Sequence, residues 1–288
     1  MPSWLKVRFS PNERFQNTMA VIKAYRLHTV CEGAECPNRG ACFGEGTATL
    51  MILGAVCTRN CRFCAVTKGR ADALDPDEPR RVAAAICQLG LDYAVITSVT
   101  RDDLPDGGAG AFAAVIRQIR AQSPRTLIEV LTPDFRGNRE ALQTVADACP
   151  DVFNHNLETV PRLYSSVRPQ ANYRQSLQVL ARMKKLAPEI KTKSGFMVGL
   201  GERKEEVREL LTDLRQADCD LVTIGQYLSP SKQHLPVVGF ITPEEFAEYE
   251  RIAYSLGFAG VASGPLVRSS FHAKQIYDYT LKGMRSNP

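Results

Sequence analysis

From residue 49 onward the chain alternates short apolar runs with amphipathic stretches, and that alternation leaves few folds open to it. Strands are expected at residues 49–53, 93–98, 126–132, 152–156, 190–198 and 221–225, with a short final one at 258–262. Helices are expected at 78–89, where Gly90 supplies a stop, and at 110–122, 139–148, 173–186, 204–216 and 243–256. Six tandem β–α units imply parallel strands joined by right-handed crossover helices. Such units curl into a barrel or partial barrel, whose working residues sit at the C-terminal strand ends. A doubly wound open sheet would carry a glycine-rich phosphate turn after its first strand. The turn here is cysteine-rich instead.

That turn holds Cys57, Cys61 and Cys64 in a C-x3-C-x2-C pattern. A second trio, Cys31, Cys36 and Cys42, lies upstream in a C-x4-C-x5-C pattern, so six of the nine cysteines fall within residues 31–64. Three closely spaced thiolates can hold three corners of an iron–sulfur cube and leave one iron open to a further ligand. Zinc sites pair C-x2-C knuckles with a fourth Cys or His, and neither trio has that form. Cys87, Cys149 and Cys219 stand alone in apolar surroundings and read as small buried residues. The four histidines, His28, His155, His234 and His272, read as structural. Gly107, Gly108 and Gly110 read as a turn before a helix, not as a phosphate loop.

The 288 residues are 44% hydrophobic and 23% charged, an ordinary globular composition. No apolar run approaches the roughly 20 residues that span a bilayer, and residues 1–6 offer no apolar segment of signal-peptide length. The expected location is the cytoplasm, where clustered cysteines point to metal and not to disulfides. A net charge of +5 without a basic block suits a solvated surface or an acidic partner, and no aromatic-interleaved basic stripe suggests nucleic acid. Three segments follow: residues 1–48, an N-terminal extension with the second trio; residues 49–262, the partial barrel; and residues 263–288, a C-terminal tail.

The cysteine loop after the first strand, with Phe63 before its third cysteine, resembles the radical S-adenosylmethionine superfamily. The resemblance narrows with Cys31-Glu32-Gly33-Ala34-Glu35-Cys36-Pro37-Asn38 and Cys42, with Thr97 to Leu104, Asn154 to Thr159 and Lys193 to Glu202, and with Arg268-Ser269-Ser270-Phe271. Together these stretches resemble the lipoyl synthase family from about Trp4 to Ala273. The resemblance implies an α/β partial (β/α)6 TIM-like barrel whose N-terminal and C-terminal extensions hold an auxiliary cluster. It implies two 4Fe–4S clusters, one on Cys57, Cys61 and Cys64, the other on Cys31, Cys36, Cys42 and Ser270. The first binds S-adenosylmethionine, two per turnover, and cleaves it to a 5′-deoxyadenosyl radical. The second is the sulfur source for insertion at C6 and C8 of a protein-bound octanoyl-lysine, a sulfurtransferase reaction. No side-chain base can deprotonate an alkyl methylene, which is why a radical is needed. Serine oxygen suits iron–sulfur chemistry less well than thiolate, so the Ser270 corner would be the easily lost one. The chain departs from the family at Phe271, where tyrosine is usual.

The implied partners are octanoylated lipoyl-carrier domains, from the E2 of a 2-oxoacid dehydrogenase or the glycine-cleavage carrier. A small electron-donor protein and iron–sulfur cluster delivery proteins complete the set. Neither nucleic acid nor membrane is expected. Polar residues at strand ends are the candidates for holding S-adenosylmethionine: Thr97, Ser98, Asn156, Glu158 and Ser194, with Lys193 beside it. Arg168 is a candidate to pair with a carboxylate. Gln226 and Tyr227, after the sixth strand, are candidates to face the substrate.

Overall fold

The computed structural model describes residues 1–7 and 11–283. The expectations for the N-terminal extension at residues 8–10 and for the tail at residues 284–288 lie outside them. The chain divides into two compact units, Val7–Asn60 with Cys64–Phe153, and Met1–Lys6 with Cys61–Phe63 and Asn154–Pro288.

The first unit opens with helix α1 (Glu13–Ala24), whose Asn12 cap accepts the Phe15 N–H at 2.9 Å. Strand β1 (His28–Thr29) leads into the short helices α2 (Val30–Gly33) and α3 (Arg39–Gly44). Helix α1 is tied to α3 by Asn12 Nδ2 on the Gly44 carbonyl at 3.1 Å and by Thr18 Oγ1 on the Phe43 carbonyl at 3.1 Å. Phe43 is fully buried beneath Phe15, with ring centroids 5.8 Å apart. Strand β2 (Thr49–Ile52) pairs antiparallel with β1 and parallel with β5 (Tyr93–Ser98), and β5 pairs parallel with β6 (Leu127–Leu131). Between them run the two-residue strands β3 (Val56–Cys57) and β4 (Thr67–Lys68), and helix α4 (Glu78–Leu89). Helix α5 (Ala109–Gln122) follows β5; helix α6 (Arg139–Asp147) and strand β7 (Val152–Asn154) follow β6.

Helix α4 turns Val82, Ala83 and Ile86 inward and stops at Gly90, whose φ of +62° glycine adopts without strain. Helix α5 buries Phe112, Val115, Ile116 and Ile119 completely. The glycines before it form a helix-starting turn: Asp106 accepts the Gly108 and Gly110 N–H groups at 2.9 and 2.8 Å.

The second unit carries the short helix α7 (Tyr164–Val167), helix α8 (Tyr173–Leu186), strand β8 (Lys191–Val198), helix α9 (Lys204–Gln216), strand β9 (Leu221–Gln226), helix α10 (Pro243–Ser255), strand β10 (Gly260–Gly264) and helix α11 (Ala273–Gly283). Strands β8, β9 and β10 pair parallel in that order. Helix α9 fully buries Val207, Leu210, Leu211 and Leu214. Each such side chain contributes about 1.5–3 kcal/mol by leaving water.

The C-terminal tail includes a helix at Ala273–Gly283, where Ala273, Ile276 and Thr280 are buried at helical spacing. The expectation for the lone cysteines is corrected. Cys87 and Cys149 are exposed, and only Cys219 of the three lone cysteines is buried. Cys87 follows the inward Ile86 and so points off the buried stripe, while Cys149 turns outward at φ +55°. Gln226 and Tyr227, the candidates to face the substrate, are each 1% exposed. Gln226 is bonded to Gly239 O and the Ile241 N–H, and Tyr227 OH donates to Leu235 O at 2.7 Å.

Candidate functional site

In the first unit, the chain leaves β2 through Leu53 and Gly54, at φ +68° and +88°. The Glu78 carboxylate of α4 accepts the Leu53 N–H at 2.8 Å and fixes the turn. The chain then delivers Cys57 at the end of β3. The Cys57 sulfur accepts two backbone N–H groups, from Thr100 at 3.3 Å and Arg59 at 3.5 Å. Amide donors aimed at a cysteine sulfur stabilise a thiolate and suit an iron–sulfur ligand. Arg59 is 5% exposed and lies between the carboxylates of Asp102 and Asp134. Burial alone would lower its pKa, and its hydrogen bonds to the two carboxylates more than offset that and push it up.

Of the strand-end candidates here, Thr97 is spent on the sheet, its hydroxyl donating to the Leu131 carbonyl at 3.0 Å. The buried Ser98 hydroxyl has no hydrogen-bond partner and is available to a ligand.

The second trio lies on the turns around α2 and α3. Backbone bonds close those turns, with the Cys36 N–H on the Cys31 carbonyl at 3.1 Å and the Cys42 N–H on the Asn38 carbonyl at 2.9 Å. Burial pushes the Cys31 thiol up to about 11, against hydrogen bonds from Thr49, with charge on Cys36 adding to the rise. Burial also pushes Cys42 up to about 12, and charge on Cys31 and Cys36 raises it further. The three sulfurs are therefore near enough to oppose one another's ionisation. Such a trio becomes thiolate when cationic iron joins it, and the donor set fits a cluster. Among the described residues no three Cys, His, Asp or Glu side chains close on a single metal ion; a cube spaces its thiolates wider than one ion does.

In the second unit, Cys61 belongs to the segment Cys61–Phe63. The Arg62 N–H donates to the Val167 carbonyl at 3.0 Å, and Phe63 packs against the buried Val167, Leu200 and Tyr227. Nearby in the same unit, residues 155–158 run beside β8, with the His155 N–H on the Lys193 carbonyl and the Glu158 N–H on the Gly195 carbonyl, both at 3.0 Å.

This stretch brings the candidates together. Asn156 Nδ2 donates to Glu158 Oε1 at 3.0 Å and to Ser269 Oγ at 2.6 Å. The buried Asn156 Oδ1 has no partner, so an acceptor is left for a ligand. Ser194 Oγ accepts the Leu157 N–H at 3.3 Å and holds the backbone. Lys193 is fully buried. Arg168 Nη1 donates to the Asn156 carbonyl at 2.9 Å, the Leu157 carbonyl at 3.3 Å and Tyr164 OH at 3.0 Å. It shapes the 156–158 stretch as well as lending charge to it. Burial pushes the Glu158 carboxyl above the usual range, and the Arg168 charge and the Asn156 amide pull against that rise.

Sequence reasoning missed Ser269 and Gly195. A Cβ on Gly195 would lie 2.5 Å from Thr223 Oγ1, 2.8 Å from Ser269 Oγ and 3.0 Å from Asn156 Oδ1, so only glycine fits without a shift. The one sequence signal for Ser269 was its place beside Ser270. Ser270 lies on the turn after β10, where the Val267 N–H meets the Gly264 carbonyl at 3.1 Å and the Phe271 N–H meets the Arg268 carbonyl at 3.0 Å. Phe271 stacks edge-on against His272 with centroids 4.0 Å apart.

Parallel strands with a C-x3-C-x2-C loop after the first of them define a radical S-adenosylmethionine protein, and the Radical SAM superfamily model matches residues 51–214. Two solved structures share the fold: methylornithine synthase, with a TM-score of 0.57 at 13% identity over 87% of this chain and 75% of that one; and a maturase of the FeFe-hydrogenase, with a TM-score of 0.59 at 15% identity over 90% of this chain and 57% of that one. The fold class is thus α/β, with the parallel strands of a partial TIM-like barrel. The lipoyl synthase of Caldanaerobacter subterraneus is 59% identical over 272 residues, 94% of this chain and 95% of its own. That of Rubrobacter xylanophilus is 56% identical over 274 residues, 95% of this chain and 85% of its own. The chain belongs to the lipoyl synthase family of the radical S-adenosylmethionine superfamily, whose members carry 4Fe–4S clusters and use S-adenosylmethionine.

Proposed function

We propose that this chain is a sulfurtransferase that inserts two sulfur atoms, at C6 and C8, into an octanoyl chain held on a lysine of a lipoyl-carrier domain. The observation that carries the reading is identity of 59% to a lipoyl synthase across 94% of the chain. When bound, a 4Fe–4S cluster on Cys57, Cys61 and Cys64 would supply the electron that splits S-adenosylmethionine, and a second on Cys31, Cys36, Cys42 and Ser270 would supply the sulfur.

The chain's own residues do the positioning. Ser98, Asn156 and Glu158 offer polar groups to S-adenosylmethionine, and the free Oδ1 of Asn156 supports that role. Arg168 and Ser194 fix the backbone that presents them, and Thr97 holds β5 to β6. The apolar packing of Phe63 with Leu200 and Tyr227 keeps water from the Cys61 segment, which protects reactive intermediates. The carriers are octanoylated domains of 2-oxoacid dehydrogenase E2 or of the glycine-cleavage system, with a small electron donor and cluster-delivery proteins in support. Among the described residues no helix is long and apolar enough to cross a membrane. The reading locates the chain in the cytoplasm, with residues 1–48 and 263–288 as the extensions of a barrel at 49–262.

The test is mass spectrometry of an octanoylated carrier peptide incubated anaerobically with the iron- and sulfide-reconstituted protein, S-adenosylmethionine and a strong reductant. A product heavier by two sulfurs is expected as the dithiol, lighter by two hydrogens once that dithiol is oxidised to the disulfide in air. The Cys36→Ala variant is expected to release 5′-deoxyadenosine without that product. Unchanged peptide with the intact protein overturns the reading.

A further inference from the structure

We propose that Arg59 is a positioning residue for Cys57: it clamps the cysteine loop onto the turns that follow β5 and β6, and so holds the Cys57 thiolate under two N–H donors that set how readily a cluster there accepts an electron. The inference rests on the assignment of Cys57 as a cluster ligand.

The clamp uses all three guanidinium nitrogens. Nε and Nη2 grip Asp102 at 2.6 and 2.9 Å, and Nη1 and Nη2 grip Asp134 at 3.0 and 2.7 Å. Asp102 lies past the end of β5 and Asp134 past the end of β6. The arrangement ties one loop to two β–α turns at once, a geometry that the planar five-donor fork of arginine allows and the point charge of lysine does not. Stability is a poor reason for it. Asp134 is fully buried and Arg59 nearly so, and buried ion pairs are often no more stabilising than apolar residues of the same volume.

What the clamp fixes is the path of Cys57-Thr58-Arg59. The Thr58 N–H and hydroxyl both donate to the Thr100 carbonyl, at 3.1 and 3.0 Å, and the Asp102 N–H donates to Thr58 Oγ1 at 3.0 Å. These bonds align Thr100 so that its own N–H meets the Cys57 sulfur at 3.3 Å, while the Arg59 N–H meets it at 3.5 Å. Hydrogen bonds to cysteine sulfur and nearby net charge are among the terms that set iron–sulfur potentials. Arg136 adds a second guanidinium, its Nε 3.4 Å from Asp102 Oδ1, so the two carboxylates beside the loop are balanced while the clamp holds. Loosening the clamp weakens the amide donors and frees carboxylate charge, and both make reduction harder.

The test uses full-length protein with Cys31, Cys36 and Cys42 all changed to alanine, so that only the Cys57 cluster is loaded. Iron content and the potential are read, the latter by a redox titration followed by electron paramagnetic resonance. Arg59→Lys keeps the charge but cannot grip both carboxylates. The expected result is unchanged iron and a ratio of reduced to oxidised cluster about tenfold smaller at a fixed potential, a shift of about 59 mV for a one-electron couple. Thr58→Val, which changes no charge, is expected to shift the potential the same way by less, and it decides the matter if Arg59→Lys does not fold. An unchanged or raised potential with iron intact overturns the inference alone. A parent protein that loads no cluster overturns the Cys57 assignment and the inference with it.

Discussion

Replacing Gly225 with alanine should detach the segment that carries Ser270 while sparing cleavage of S-adenosylmethionine. Gly225 is buried in β9, between Met197 of β8 and Gly264 of β10. A Cβ there would collide with the carbonyl oxygen of Val267 and lie 3.1 Å from its carbonyl carbon and 3.3 Å from Arg268 Nη1. Carbon and carbonyl oxygen settle at roughly 3.3–3.6 Å, so one side must move by about 1 Å. Strand β9 is hydrogen-bonded on both edges and cannot yield cheaply. Bonds that hold the turn at 264–271 include the Val267 N–H on the Gly264 carbonyl, the Phe271 N–H on the Arg268 carbonyl and Asn156 Nδ2 on Ser269 Oγ, each contributing about 0.5–1.5 kcal/mol. Overpacking costs about 1–3 kcal/mol, equal to one or two of those bonds. The turn therefore gives way. The assay is iron content, 5′-deoxyadenosine release and sulfur insertion, with thermal melting alongside. Cleavage should persist at saturating S-adenosylmethionine and sulfur insertion should fail; on the proposal that Ser270 closes one of two equal clusters, about half the iron should become accessible to a chelator. Full iron with full sulfur insertion would refute the reasoning. So would a collapse in melting temperature, which would mean that the strand and not the turn had moved.

Gly195→Ala should weaken S-adenosylmethionine binding by about tenfold, roughly 1.4 kcal/mol, because the new methyl displaces Ser269 and Asn156; equilibrium dialysis checks it, with Gly239→Ala, whose Cβ would meet nothing within 4 Å, as the neutral control. Glu206→Gln should lower the melting temperature slightly at pH 7. The Arg162 hydrogen bond holds the Glu206 carboxyl down to about 2, from 4.5, so the stabilisation is present above 4.5 and fades as pH falls toward 2. A gap between variant and parent that persists at pH 2 would contradict this.

The regular elements were legible because their determinants are local. The helices at Tyr173–Leu186 and Lys204–Gln216 show their buried stripes at helical spacing, and both expected ranges match. Helix α11 was missed because its apolar positions stand in a stretch crowded with Lys274, Tyr277, Asp278 and Tyr279, where local pattern does not separate a docked helix from a tail. The cysteine trios were legible because metal chemistry fixes their spacing. Their surroundings were not. Ser269 meets Asn156 across 113 residues, and Arg59 meets Asp102 and Asp134 across 43 and 75. No period in the sequence announces such pairs. Thr97 was chosen for its strand end and Arg168 for its charge, yet the bond of the Thr97 hydroxyl to a neighbouring carbonyl and the bonds of Arg168 Nη1 to the 156–157 backbone are visible only once the fold is known.

The turns that gather Cys31, Cys36 and Cys42 are closed by bonds between near neighbours in the chain. That has a consequence for the order of assembly. Three corners of the proposed auxiliary site need only a dozen residues, so their closure costs little loop entropy. The proposed fourth corner, Ser270, lies 228 residues beyond Cys42. A nascent chain thus presents a three-sided nest long before the last side exists, and a cluster closed on all four sides would mark a chain synthesised through Ser270.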